Sequence, residues 1–162
     1  MAEVVGTVAS VIAIAELTYK SVDALYKLID GMVKAPKTLT EVKDDLSTLK
    51  QVLDSIKVTL EAKKKEQLSD KMRDSFKQVE AVMDQCGKTC KEFGRKLREY
   101  AKQPGTEQPS TGQPNTGQPN TGHISTMGRA TIFFKKDEIL AFQYRISSYK
   151  LTLDIAMALA NL

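Results

Sequence analysis

The chain has no tryptophan, one histidine and two cysteines among 162 residues, and each scarcity closes off a class of chemistry. With His123 as the lone imidazole, a folded site has no histidine pair for acid–base work or for a His-based metal cluster. Cys86 and Cys90 are too few for a disulfide framework, and the chain reads as intracellular. Four residues apart on one helical face, with no other soft ligand near them in sequence, they read as small buried hydrophobes rather than metal ligands. Glycine-rich phosphate loops, nucleophile elbows and paired carboxylates on an apolar face are also missing. The acids lie among lysines, as solvated surface charges do. The expectation is a non-enzyme with no cofactor and no metal.

Long apolar runs are missing too. The uncharged apolar stretch Val4–Ala15 has twelve residues, whereas a resident transmembrane helix needs about 20. Ala13-Ile14-Ala15 resembles a signal-peptide cleavage site, but the leader Met1-Ala2-Glu3 carries an acid and no Lys or Arg, the wrong n-region for secretion. Charge of one sign is scarce as well: 24 basic against 20 acidic side chains leave +4, too weak a balance to name a nucleic acid or a membrane by itself. Aromatic residues are few and fall on helical core stripes, and no recognition motif accompanies them, so no nucleic-acid partner is expected.

What the sequence does have is helical periodicity almost throughout. At 41% hydrophobic and 27% charged it has the composition of one soluble domain spanning 1–162. From the opening stretch Ala2–Met32 onward, residues Val8, Ile12, Ala15, Tyr19, Val22, Tyr26, Ile29 and Val33 follow one another at steps of four and three, one stripe of an α-helix. A second stripe (Val11, Ile14, Leu25, Leu28, Met32, with Thr18 and Ser21 between) lies beside it, so the front half is apolar nearly all round. Gly31 and Lys34-Ala35-Pro36-Lys37 mark a stop. Thr38 and Glu41 stand at capping-box spacing and predict the start of a second helix. Its apolar residues are Leu39, Val42, Leu46, Leu49, Leu53, Ile56 and Leu60. After a polar turn at 62–66, a third helix runs from about Ser69 to Lys102. Its stripe is Leu68, Met72, Phe76, Val79, Met83, Cys86, Cys90, Phe93, Leu97 and Tyr100. Gly87 and Gly94 inside it each cost about 1 kcal/mol relative to Ala, which points to a kink or loose packing there.

From 103 to 128 the composition changes abruptly. Three copies of one pentapeptide (110–114, 115–119, 120–124) follow a decayed fourth, with a proline about every five residues and no apolar surface, so this insert reads as a disordered loop. Ile132-Phe133-Phe134 then leads into a last helix, whose start Asp137 and Glu138 favour. One of its stripes is Ile139, Phe142, Ile146, Tyr149, Leu153 and Ala156. Beside it lie Leu140, Tyr144, Leu151, Ile155 and Leu159. The fold class expected is all-α: a four-helix, at most five-helix, bundle with a long disordered loop before its last helix. The two most apolar helices, first and last, are expected at its centre.

Two residue sets stand out as candidate sites. The front of the first helix offers Val4, Val5, Val8, Val11, Ile12, Ile14 and Leu17. The third helix offers the cations Lys88, Lys91, Arg95, Lys96, Arg98 and Lys102, read either as a solvated face or as contacts to anionic lipid at about 1 kcal/mol each.

The start Met1-Ala2-Glu3-Val4-Val5-Gly6 and the block 10–17 resemble the opening of the fungal HeLo-like domains. The stretch Phe133-Phe134-Lys135-Lys136-Asp137-Glu138-Ile139 and the segment 151–159 resemble the lead-in and body of that family's last helix. Such domains head STAND receptors of the NLR type or the cell-death effectors those receptors activate. They are similar to the HeLo domain of the HET-S toxin and to the four-helix bundle of the necroptosis executioner. The resemblance implies a helical bundle that is cytoplasmic while inactive and is activated by oligomerisation. It implies that the active form goes to the plasma membrane and permeabilises it through the first helix, with Val4 to Leu17 as the inserting surface. Implied partners are anionic lipids, further copies of the chain and a cognate NLR-like receptor. The alternative is a protein–protein signalling or adaptor domain at the head of such a receptor. Gly6 is the sole glycine among the first thirty residues, which gives no glycine zipper. The chain, ending at Leu162 without a nucleotide-binding domain, reads as the N-terminal piece of something longer.

Overall fold

A computed structural model describes residues 2–32, 35–63, 70–102 and 136–160. They form four helices: α1 (Ala2–Asp30), α2 (Lys37–Lys63), α3 (Asp70–Lys102) and α4 (Lys136–Ala160), with no strand among the described residues. The architecture is a helical bundle. The pentapeptide tract 103–128, the cluster at 132–134, and Val33 and Leu68 all lie outside the described residues.

α1 ends where the sequence stops it. The Gly31 amide donates to the Lys27 carbonyl and the Met32 amide to the Ile29 carbonyl, a tightened last turn, with Lys27 favourably placed against the helix dipole. α2 starts two residues earlier than a capping box at Thr38 requires. The Pro36 carbonyl accepts from the Leu39 and Thr40 amides, which puts Thr38 inside the first turn. Proline, whose ring fixes its φ and which has no amide to leave unpaired, occupies the position before the helix instead.

Every one of the seven expected α2 residues is buried, from Leu39 to Leu60. In α3, Phe76, Val79, Met83, Cys86, Cys90, Phe93 and Leu97 are buried, with Met72 and Tyr100 packed at the edge. In α1 the buried line is Val8, Val11, Ala15, Thr18, Val22, Leu25 and Ile29, continued by Met32 just past its end. It runs between the two expected stripes, because α1 has a neighbour on each flank. Tyr19 and Tyr26 of the first stripe turn towards α2. Ser21, Leu25 and Leu28 turn towards α3.

α1 packs on α2 and α3, and α4 packs on the other sides of the same two helices; α1 and α4 do not meet. The expectation that first and last helices share the centre is therefore corrected. Four helices around one apolar seam leave no central helix, and the two most apolar ones stand at opposite corners. Contacts between α1 and α3 run in the same order along both helices (Ser10 with Glu80, Thr18 with Met83), so these two are parallel. α4 runs antiparallel to α3, with Phe93 stacked on Phe142 at 4.0 Å and Thr89 hydrogen-bonded to Tyr149 at 3.1 Å.

Gly87 and Gly94 mark tight packing rather than a loose segment. Both are buried. A Cβ on Gly87 would lie 3.4 Å from Thr18 Oγ1 and 3.5 Å from Thr18 Cα, and one on Gly94 would lie 3.7 Å from Leu25 Cδ1. The missing side chains let α1 approach closely enough for the Thr18 hydroxyl to donate to the Met83 carbonyl at 2.9 Å.

Candidate functional site

α1 is fastened unevenly along its length. Its back half is joined to α2 by three ion pairs: Glu16 with Lys57 at 2.8 Å, Asp23 with Lys50 at 2.6 Å, and Asp30 with Lys43 at 3.1 Å. The acids recur every seven residues going up α1, and the lysines every seven going down α2. Antiparallel helices with heptad spacing place such residues opposite one another. Lys50 also sits over the rings of Tyr19 and Tyr26, at 5.3 and 5.0 Å from their centroids. Hydrogen bonding to Lys57 lowers the Glu16 carboxyl below its ordinary range, and hydrogen bonds from Lys27 and Lys50 do the same for Asp23. The same bonds, to Asp30, Asp23 and Glu16, raise Lys43, Lys50 and Lys57. The sequence carried this ladder in plain view as charges on solvated faces. The missed signal was the matching seven-residue spacing of opposite signs on two helices joined by a short connection.

Ahead of Glu16 the ladder stops, because Val4–Ala15 carries no charge. This front half is held by Val8 and Val11, both buried, by Ile12 and Ile14, half-buried, and by Ser10 donating to Glu80 at 2.9 Å. Leu17, at the junction of the two halves, is 55% exposed. The side chains of Val4 and Val5 lie outside the described residues.

The structure brings part of the two expected sets together. A shallow groove between α1 and α3, about 260 Å³, is lined by the apolar or small residues Leu17, Ala24, Leu25 and Gly94 together with Lys20, Lys91 and Arg98. It continues into a second depression that joins Ile14 and Leu17 to Lys88 and Lys91. Lys20, missed in the sequence because it belongs to α1, completes the basic surround. The cations divide into two kinds. Lys88 is bound to Asp84 at 2.6 Å, Arg95 to Glu99, and Lys96 to Glu92 at 3.8 Å, each one turn along α3. Lys20, Lys91 and Arg98 have no ion-pair partner among the described residues. Lys102 ends α3, and its side chain lies outside the described residues.

Cys86 and Cys90 are both buried, and Cys90 contributes to the lining of this groove. A hydrogen bond with Cys86 and burial push the Cys90 thiol well up, so it is no nucleophile at neutral pH. Among the described residues no three His, Cys, Asp or Glu side chains converge as a metal site, and no helix is long and apolar enough to cross a membrane.

No curated protein and no solved structure matches the chain. The family model for the N-terminal domain of the pigment biosynthesis cluster protein PigL matches residues 2–162. A helical bundle covered from end to end by that match belongs to the PigL N-terminal domain family.

Proposed function

We propose that this domain is a membrane-targeting execution module of regulated cell death, which meets anionic lipid along its α1–α3 edge once several copies assemble. The observation that carries the reading is the half-exposed Leu17, set among the unpaired cations Lys20, Lys91 and Arg98 at the foot of an uncharged helix segment. Each cation near an anionic surface contributes about 1 kcal/mol, and salt screens it. One copy therefore binds weakly, and assembly multiplies weak contacts into firm attachment. The front half of α1, joined to α2 by no ladder rung, is then the part that moves into lipid, and the back half stays with the bundle. Val8, Val11, Ile12 and Ile14 would exchange a protein core for acyl chains, so little apolar surface is exposed to water on the way. The resting domain is cytoplasmic in this reading, the active one is at the plasma membrane, and no residue has a catalytic role.

The test uses vesicles of phosphatidylserine and phosphatidylcholine against phosphatidylcholine alone. Flotation with the anionic vesicles, weakened by salt, and dye release on forced oligomerisation are expected. No dye release at any concentration from a forcibly oligomerised protein overturns permeabilisation. Lys91→Glu with Arg98→Glu should abolish flotation while leaving the fold intact.

A second reading, an adaptor domain that pairs with a receptor, is favoured by one observation. Val8 and Val11 are fully buried, as a plain core helix requires. Receptor-dependent recruitment without any vesicle binding would establish it.

A further inference from the structure

α4 has a second apolar face that none of the other described helices covers. Leu140, Tyr144, Leu151, Ile155 and Leu159 are between 44% and 79% exposed, and they share one stripe, on the side away from α2 and α3. Scattered exposed leucines are ordinary, but five large apolar side chains along one helix make a contiguous patch, and such patches mark interaction sites.

We infer that this face is a homotypic interface, on which two copies of the chain pair antiparallel, α4 on α4, about a two-fold axis near Tyr149–Lys150. The spacing of the stripe carries the inference. Reversed about that point, Leu140 falls on Leu159, Tyr144 on Ile155, and Ser148 on Leu151 of the second copy. A two-fold interface needs a patch that complements itself when turned end for end; four of the five stripe residues meet another stripe residue in this way, and Leu151, nearest the axis, meets the small exposed Ser148. Ser147 and Ser148, exposed at the middle, are small enough for the two helices to approach closely. The antiparallel arrangement also opposes the two helix dipoles and keeps Arg145 from facing its own copy.

The size fits a reversible dimer. The exposed parts of the five side chains give about 500 Å² per copy, about 1,000 Å² for the pair, the lower end for a specific interface. A lipid surface fits less well. The stripe is flanked by Arg145 and Asp154, one charge of each sign, and lacks the cationic surround that draws an interfacial helix to anionic headgroups. The inference goes beyond the membrane reading and does not depend on it. Because α1 and α4 stand at opposite corners, pairing through α4 leaves both α1–α3 edges uncovered.

Sedimentation of the whole chain over a concentration series tests it. A dimer that dissociates on dilution is expected, and Leu151→Glu should weaken association more than about tenfold, equivalent to about 1.4 kcal/mol, with an unchanged melting temperature. For geometry, Leu140→Cys and Leu159→Cys proteins should cross-link when mixed and not when alone, the native cysteines being buried. A monomer at every concentration, a dimer indifferent to Leu151→Glu, or Leu140→Cys cross-linking to itself each overturns the inference. So does a monomer whose vesicle binding is lost on Leu151→Glu, since the occupant would then be lipid.

Discussion

α1 and α4 are the two most apolar helices and stand at opposite corners of one bundle, yet among the described side chains α1 exposes one large apolar residue, Leu17, where α4 exposes five. α1 has special accommodation on each flank. α3 gives it Gly87 and Gly94, which let the backbones approach, and α2 gives it a ladder of lysines over its acids and tyrosines. α4 has the same two neighbours but receives ordinary packing on one face, through Ile139, Phe142, Ile146 and Leu153, while its other face stays open. Apolar content thus does not decide burial. The small and charged residues on neighbouring helices do.

The comparison is broken most easily within α4 itself. Ile146→Ala should cost about 2–5 kcal/mol by chemical denaturation, whereas Leu151→Ala, measured in dilute solution, should stay within about 0.5 kcal/mol. Equal costs would mean that the outer stripe is covered in the monomer. Next in size is Gly87→Leu, which forces a side chain into Thr18 and should destabilise by about 1–3 kcal/mol. Gly6→Ala, with nothing within 4 Å of its Cβ, should instead stabilise by up to about 1 kcal/mol. Thr18→Val removes the hydroxyl that donates to the Met83 carbonyl and should cost about 1 kcal/mol; a smaller loss would put the weight of the α1–α3 contact on the glycines.

The smallest effect belongs to the ladder, which lies near the surface and is screened. Glu16 and Asp23 are lowered in the fold, so their contribution is complete above the ordinary carboxylate range, about pH 4, and is lost as pH falls through their folded values. Lys43, Lys50 and Lys57 are raised, so theirs is complete below about pH 10 and is lost as pH rises further. The melting temperature of the wild type minus that of Lys50→Met should therefore be flat near neutrality, shrink at both extremes, and shrink in high salt.

Much of this fold could be read in the sequence. A strict three-four repeat named all seven buried residues of α2 and the buried core residues of α3, because each of those helices turns one broad apolar face to the seam. α1 and α4 could not be read so well. Each carries two stripes, and periodicity tells which residues share a face but not which face finds a neighbour. It could not show that Val11 is buried and Leu17 exposed, nor that Leu151 points outward while Leu153, two residues on, points in. The same limit hid the site. Lys20 and Lys91 were visible as charges, but only the parallel contact of α1 with α3 sets both beside Leu17.

The ladder has a mechanical consequence. Because its rungs recur every seven residues, α1 cannot creep along α2 by a single turn and keep any of them. The next position that restores ion pairs lies seven residues away, a displacement of about 10 Å, where Glu16 would meet Lys50 and Asp23 would meet Lys43. Sliding is thus locked in large steps, whereas bending the front of α1 away from the bundle breaks no rung. A bend that spares all three rungs therefore lies ahead of Glu16, at the end of the uncharged segment Val4–Ala15.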